Sequence, residues 1–210
     1  MLARLHVITH PRPGRRGLEV VRAALRAGVD SGAPPVIQVR VADDVADRDA
    51  YQFAAQVATL CRDAQATCLV NDRLHVALAV GAHGGHVGDE DLPVPAARRV
   101  LGETAVVGAT ARTPQTAKDR VAEGASYLGV GPAYRSASKT GLPDPIGPDG
   151  VGAVAAAVDV PVIAIGGVTA DRVPELLAAG AYGVAVIGAI NDAADPYAAT
   201  RDFLAALRRP

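Results

Sequence analysis

Short β-branched runs alternate with stretches of helical apolar spacing about eight times along the chain, and this rhythm limits the fold more than any other feature. The runs that read as strands are Leu5–Thr9 (LHVIT), Pro35–Arg40 (PVIQVR), Thr67–Val70, Gly84–Val87, Ala105–Gly108, Ser126–Val130, Pro161–Ile165 and Tyr182–Ile187. The spacing predicts helices over Gly17–Ala27, Asp47–Ala64, Leu74–Val80, Pro95–Leu101, Thr113–Glu123, Gly150–Ala157, Asp171–Ala179 and Pro196–Leu207. Leu18, Val21 and Leu25 share a face of the first helix, with Gly28 as its expected stop. Thr113 and Pro114 are placed as N-cap and first residue of the fifth helix. Strands that are apolar throughout are buried on both faces, as in a parallel sheet covered by helices. Eight such units favour a closed barrel over an open doubly wound sheet. No glycine-rich dinucleotide fingerprint follows the first strand, and no composition break marks a linker. The expectation is an α/β protein, a single (β/α)8 barrel domain over residues 1–210.

Composition agrees with that architecture. Half the residues are hydrophobic, but only two are Phe, five are Tyr and none is Trp, so the core must be built from Ala, Val, Leu and Ile. The net charge of −1 without blocks of like charge gives no footprint for nucleic acid or an anionic membrane. No apolar run is long enough to span a bilayer, and the arginines at positions 4, 12, 15 and 16 leave no signal-peptide core. Cys61 and Cys68 are too few for a disulfide framework and read as buried apolar residues in a reducing compartment. A cytoplasmic protein is expected.

Barrels of this kind place their chemistry on the loops at the C-terminal ends of the strands. There the sequence puts Gln38 and Arg40, which share one side of strand two, then Asn71 and Asp72 after strand three. Asp91 lies in the loop after strand four, and Thr110 and Arg112 follow strand five. The long loop after strand six, GPAYRSASKTG, carries Tyr134, Arg135, Ser136, Ser138 and Lys139. Gly166-Gly167 and Gly188 end strands seven and eight, where many barrels hold a phosphate on backbone N–H groups. Asp72 and Asp91, emerging from neighbouring parallel strands, form a pair of hard oxygen donors suited to Mg2+ and its waters. Each also has a plainer reading, Asp72 as a helix cap and Asp91 as a turn residue. Cations, hydroxyls, glycines and two acids on one rim point to phosphorylated small-molecule substrates.

The ordered set IQVR, VNDR, GGHVGDEDLP, GVGPAYRSASKTG and VIAIGGV resembles the thiamine phosphate synthase and thiazole tautomerase superfamily of single-domain β/α barrels, along nearly the whole chain. What the resemblance implies is a transferase joining hydroxymethylpyrimidine pyrophosphate to thiazole phosphate and releasing pyrophosphate. The pyrophosphate departs first, leaving a pyrimidine-stabilised cation that the thiazole nitrogen captures. It further implies Mg2+ on Asp72 and Asp91, and contacts to the pyrophosphate from Arg40, Asn71, Thr110 and Lys139. Of these, Arg40, Thr110 and Lys139 are the implied catalytic residues. Gln38 would hold the pyrimidine, and Ser136, Ser138, Gly167, Ile187 and Gly188 the thiazole phosphate. A homodimer is an expectation of the resemblance alone.

The chain departs from the family pattern in three places. Ala42 stands where the family has Lys, Arg112 where it usually has His, and Gly188 where it often has Ser. Two other readings therefore stay open: a tautomerase of the same superfamily, and a non-catalytic barrel binding phosphorylated thiazole or pyrimidine. Arg112 counts against the first, because a guanidinium cannot give up a proton at working pH. Ala42 is the main support of the second. Among smaller features, His83 and His86 are expected to pack at the start and inside of strand four. Tyr134 either stacks on a heterocycle or fills the underside of its loop.

Overall fold

The computed structural model describes residues 2–12, 14–135 and 143–208. Eight parallel strands close into a barrel in simple sequential order. They are β1 (Leu5–Ile8), β2 (Val36–Val39), β3 (Cys68–Asn71), β4 (Gly84–Val87), β5 (Val106–Ala111), β6 (Tyr127–Val130), β7 (Val162–Ile165) and β8 (Gly183–Val186). The helices are α1 (Arg15–Asp30), α2 (Asp47–Asp63), α3 (Leu74–Ala79), α4 (Val94–Leu101), α5 (Pro114–Ala122), α6 (Gly147–Ala155), α7 (Val173–Ala178), α8 (Gly188–Asn191) and α9 (Pro196–Arg208). Pairing of β1 with β8, Val7 opposite Val186, completes the ring.

Alternation along each strand divides the core in two. Leu5, Val7, Ile37, Val39, Cys68, Val70, Leu128, Val130, Val162 and Ala164 face outward and pack with the helices. Ile8, Val36, Leu69, Tyr127, Ile163 and Ala185 fill the interior. The interior is not wholly apolar, since His6 and Gln38 are buried there as well. The few aromatics explain how this barrel closes: small and branched side chains fill the shell, and one large ring, Tyr127, crosses the middle. Gly108 makes that crossing feasible, because a Cβ at that position would lie 2.4 Å from the Tyr127 hydroxyl and closer still to its ring.

Several boundaries differ from expectation for identifiable reasons. Helix α1 runs through Gly28 to Asp30. Gly28 is a packing contact, where a Cβ would meet Pro35 at 2.5 Å, and the chain turns instead at Gly32 with φ of 65°. Strand β5 extends to Ala111, so Thr110 is a strand residue and not part of the following loop. Helix α8, four residues directly after β8, has too few residues to show helical periodicity. The Thr113 cap of α5 is present as a reciprocal pair with Thr116. Cys61 and Cys68 are buried free thiols, as the sequence suggested.

Candidate active site

Both acids emerge at the rim. Asp72 follows β3 with φ of 65°, a left-handed backbone unusual for a residue with a side chain. Its N–H donates to the His86 carbonyl of β4 at 2.9 Å, which pins it to the neighbouring strand. The capping role is not realised, since Arg73 holds the N-cap position of α3 and no side chain caps that helix. Asp91 does serve its loop, with Oδ2 accepting the Gly88 N–H at 2.7 Å. The Asp72 residue is exposed overall, yet its carboxyl is enclosed by the rim and faces Asp91. Desolvation and then the charge and hydrogen bonding of Asp91 push Asp72 up to about 7, with Arg40 opposing that rise and Asp43 adding to it. Arg40 is therefore beside the acids, as the sequence placed it.

The pair suits a divalent cation. Two carboxylates forced together resist sharing one negative region, and a cation removes the conflict. Asn71 adds a buried Oδ1 with no hydrogen-bond partner among the described residues. No group of three or more His, Cys, Asp or Glu side chains clusters among the described residues, so further ligands would be water and substrate. That limited protein share is what Mg2+ at a phosphate site uses.

Gln38 and Thr110 are joined by a polar chain through the barrel interior, which continues from Gln38 to His6. Gln38 Nε2 is 2.8 Å from His6 Nδ1 and 3.1 Å from the Tyr127 hydroxyl. His86 bridges onward, with Nδ1 3.0 Å from Tyr127 and Nε2 3.2 Å from Thr110 Oγ1. Burial holds both rings neutral, lowering His6 to about 3 and His86 to about 4. His86 is thus inside the barrel, as expected, but as a hydrogen-bonded link. His83 is exposed, contrary to expectation, and its Nδ1 accepts the Cys68 N–H at 3.1 Å.

The glycines after β7 adopt left-handed backbone, φ 95° at Gly166 and 63° at Gly167. The β6 loop pairs onto this turn, Tyr134 N–H donating to the Gly166 carbonyl at 2.9 Å. A Cβ on Gly167 would lie 2.3 Å from the Arg135 carbonyl, so side chains are excluded there. Arg172 holds the turn from beneath, donating to the Gly167 carbonyl at 2.7 Å while lying 4.3 Å over the Tyr134 ring. Tyr134 donates to Glu175 at 2.8 Å, which favours the loop-filling reading over stacking on a heterocycle. Across the rim, Ile187 and Gly188 begin α8, and the Asn191 amide ties the Ile187 and Ile8 carbonyls together at 2.7 and 2.9 Å. Sequence reading missed His6 and Tyr127, which meet inside the closed barrel, and Arg172 and Asn191, which hold the turns after β7 and β8. The one signal available was polar residues at inward strand positions.

Ser136, Ser138 and Lys139 lie outside the described residues. Arg112, on the same side, donates to the Asp144 carbonyl at 2.7 Å, and its buried Nε has no partner among the described residues. Ala42 sits in the β2 loop, its N–H donating to Pro11 and its carbonyl accepting Arg73.

Residues 5–190 match the family described as thiamine monophosphate synthase. The chain belongs to this family. A thiamine-phosphate synthase of Salinispora arenicola (strain CNS-205) is 64% identical over 206 residues, 98% of each chain. Another from Moorella thermoacetica (strain ATCC 39073 / JCM 9320) is 44% identical over 188 residues, covering 90% of this chain and 87% of its own. Among solved structures, a thiamine phosphate pyrophosphorylase from Pyrococcus furiosus superimposes with a TM-score of 0.84 at 32% identity, covering 97% of this chain and 95% of that one. A 3-hexulose-6-phosphate synthase shares the fold at 18% identity and a TM-score of 0.65. The (β/α)8 barrel and the family expected from the sequence are both borne out.

Proposed function

We propose that this chain joins hydroxymethylpyrimidine pyrophosphate to a thiazole phosphate at the C-terminal rim, releasing pyrophosphate by a dissociative route that depends on Mg2+. As a family member it is a transferase of thiamine biosynthesis. The observation that supports the finer reading is the convergence of Asp72, Asp91, Arg40, Asn71 and Thr110 on adjoining strand ends, facing the glycine turn after β7.

In the proposed reaction the bond between the pyrimidine methylene and its pyrophosphate oxygen breaks first. Both bonding electrons leave with the pyrophosphate, and the thiazole nitrogen then supplies a pair to the methylene carbon. No proton has to move, so no nucleophile or titrating base is needed. The task is to stabilise charge growing on the departing oxygens within a fixed polar site. Arg40 brings a permanent charge, Thr110 a hydroxyl and Asn71 an amide, all on the rim beside the acid pair. Mg2+, held by Asp72 and Asp91, would supply positive charge to the same oxygens. Gln38 is placed to orient the pyrimidine, with Ile187 lining the site. The N–H groups of Gly167 and Gly188 would hold the thiazole phosphate. We assign Lys139 to the pyrophosphate, and Ser136 and Ser138 to the thiazole phosphate, from the family pattern alone.

The tautomerase reading gains nothing from Arg112, whose guanidinium stays protonated and donates to the Asp144 carbonyl. Among the described residues, no helix is long and apolar enough to cross a membrane, and the buried free thiols fit the cytoplasmic location we propose. A homodimer, and the absence of nucleic-acid partners, complete the proposal. The test is initial-rate pyrophosphate release with each substrate alone and with both, in Mg2+ and in EDTA. Release only with both substrates and the metal is expected. Equal release in EDTA would remove the metal from the account.

A further inference from the structure

The buried chain His6–Gln38–Tyr127–His86–Thr110 has a direction, and that direction reaches the rim. Each distance in it allows either partner to donate, except at Gln38 Nε2, which only donates. Its two hydrogens go to His6 Nδ1 and to the Tyr127 oxygen. Tyr127, having accepted, gives its own proton to His86 Nδ1. A neutral His86 with Nδ1 accepting must carry its proton on Nε2, which then donates to Thr110 Oγ1. Thr110 is left with its own O–H to donate elsewhere.

The opposite direction would need the Gln38 amide reversed, with the His6 proton on Nδ1. His6 Nε2 has no hydrogen-bond partner among the described residues in either direction, so it does not decide between them. The amide orientation selects the first direction, its Nε2 lying 2.8 Å from His6 Nδ1 and 3.1 Å from the Tyr127 hydroxyl. The barrel is also shaped around the two central links. Gly108 admits the Tyr127 ring, and a Cβ on Gly129 would come within 3.0 Å of His86 Cε1.

We propose that Tyr127 and His86 are positioning residues that orient the Thr110 hydroxyl as an obligatory donor toward the departing pyrophosphate. The proposal rests on the reading of Thr110 as a pyrophosphate contact. The same polarity makes the Gln38 Oε1 the acceptor this amide offers to the pyrimidine. Recognition of one end of the substrate and stabilisation of the other are then coupled through the barrel core.

Two measurements test this. In side-chain 15N–1H spectra of the full chain at pH 7, His6 and His86 should both be the Nε2–H tautomer. An Nδ1–H His86 would reverse the chain and overturn the proposal, whatever the enzyme's activity. In kinetics, Tyr127→Phe should lower kcat about tenfold, the scale of one lost hydrogen bond, with KM for either substrate changed by less than about threefold. The same substitution made on top of Thr110→Val should cost less than about twofold, because the group it acts through is already gone. A full tenfold further loss in that background would show that Tyr127 works by another route. A wild type that releases no pyrophosphate would instead defeat the functional reading, with the tautomers still testing the chain's direction.

Discussion

Replacing Asp72 by Asn should make the protein more stable and the enzyme inactive at once. Asp72 faces Asp91 and titrates near 7 rather than at its ordinary 3.8. An acid whose folded value is raised favours folding below its unfolded value. That advantage is lost as pH rises from about 4 through about 7, because the folded state must then give up a proton it holds more tightly. Taken at face value the shift corresponds to about 4 kcal/mol. The residue is exposed, so water screens the repulsion, and a penalty of roughly 1–2 kcal/mol above pH 7 is the better figure. Asn removes it while tolerating the left-handed backbone better than most residues. Without metal at pH 8, Asp72→Asn should melt above wild type by about 2–8 °C, given a slope of about 2–4 °C per kcal/mol for this size. The gap should shrink toward pH 4. Mg2+ should raise the melting temperature of wild type but not of the variant, and turnover should be lost. A variant that melts below wild type at pH 8, or still responds to Mg2+, would refute the picture of two opposed acids holding a cation.

Three further outcomes follow from the same geometry. Gly188→Val should raise KM for thiazole phosphate while leaving KM for the pyrimidine pyrophosphate within about twofold, as read by initial rates with each substrate varied; equal damage to both would place the residue in folding. Ala42→Lys should raise the rate of pyrophosphate release by about ten- to a hundredfold, the effect of one charge-assisted contact on the leaving group. Little gain, together with a large loss in Arg112→Ala or Arg135→Ala, would assign the missing charge to one of those arginines instead. Acid should unfold the protein early: His6, lowered to about 3, favours folding above its unfolded value of 6.5, and that advantage is lost as pH falls. Urea titrations of Asp72→Asn at pH 7 and pH 5 should differ by about 4 kcal/mol, roughly half from His6 and half from the likewise lowered His86, and a flat profile would contradict their neutral burial.

The rim was legible because β/α barrels turn strand order into geometry. Once eight units are seen, Asp72 and Asp91 fall on neighbouring strand ends without any three-dimensional information. The interior was not legible. His6 and Tyr127 are 121 positions apart in sequence yet 5.1 Å apart between ring centroids, a meeting that depends on how a closed barrel fills its centre. Thr110 reads as a loop residue because the glycine at 108 looks like a strand end, whereas that glycine admits a tyrosine ring from β6. Gly28 misled for a related reason, its hydrogen side chain being required by Pro34 and Pro35 on the next segment and not by a turn. Arg172 reads as an ordinary helix residue and Asn191 falls in no expected element, and only the fold shows that they brace the two candidate phosphate turns.

The central claim, that this rim joins two phosphorylated heterocycles and expels pyrophosphate, is tested most directly by 31P NMR of the purified chain with both substrates and Mg2+. The account predicts that inorganic pyrophosphate and one new phosphomonoester appear together in equal amounts, with no orthophosphate. Thiazole phosphate that binds and shifts while the pyrimidine pyrophosphate signals stay unchanged would contradict it and leave a binding barrel.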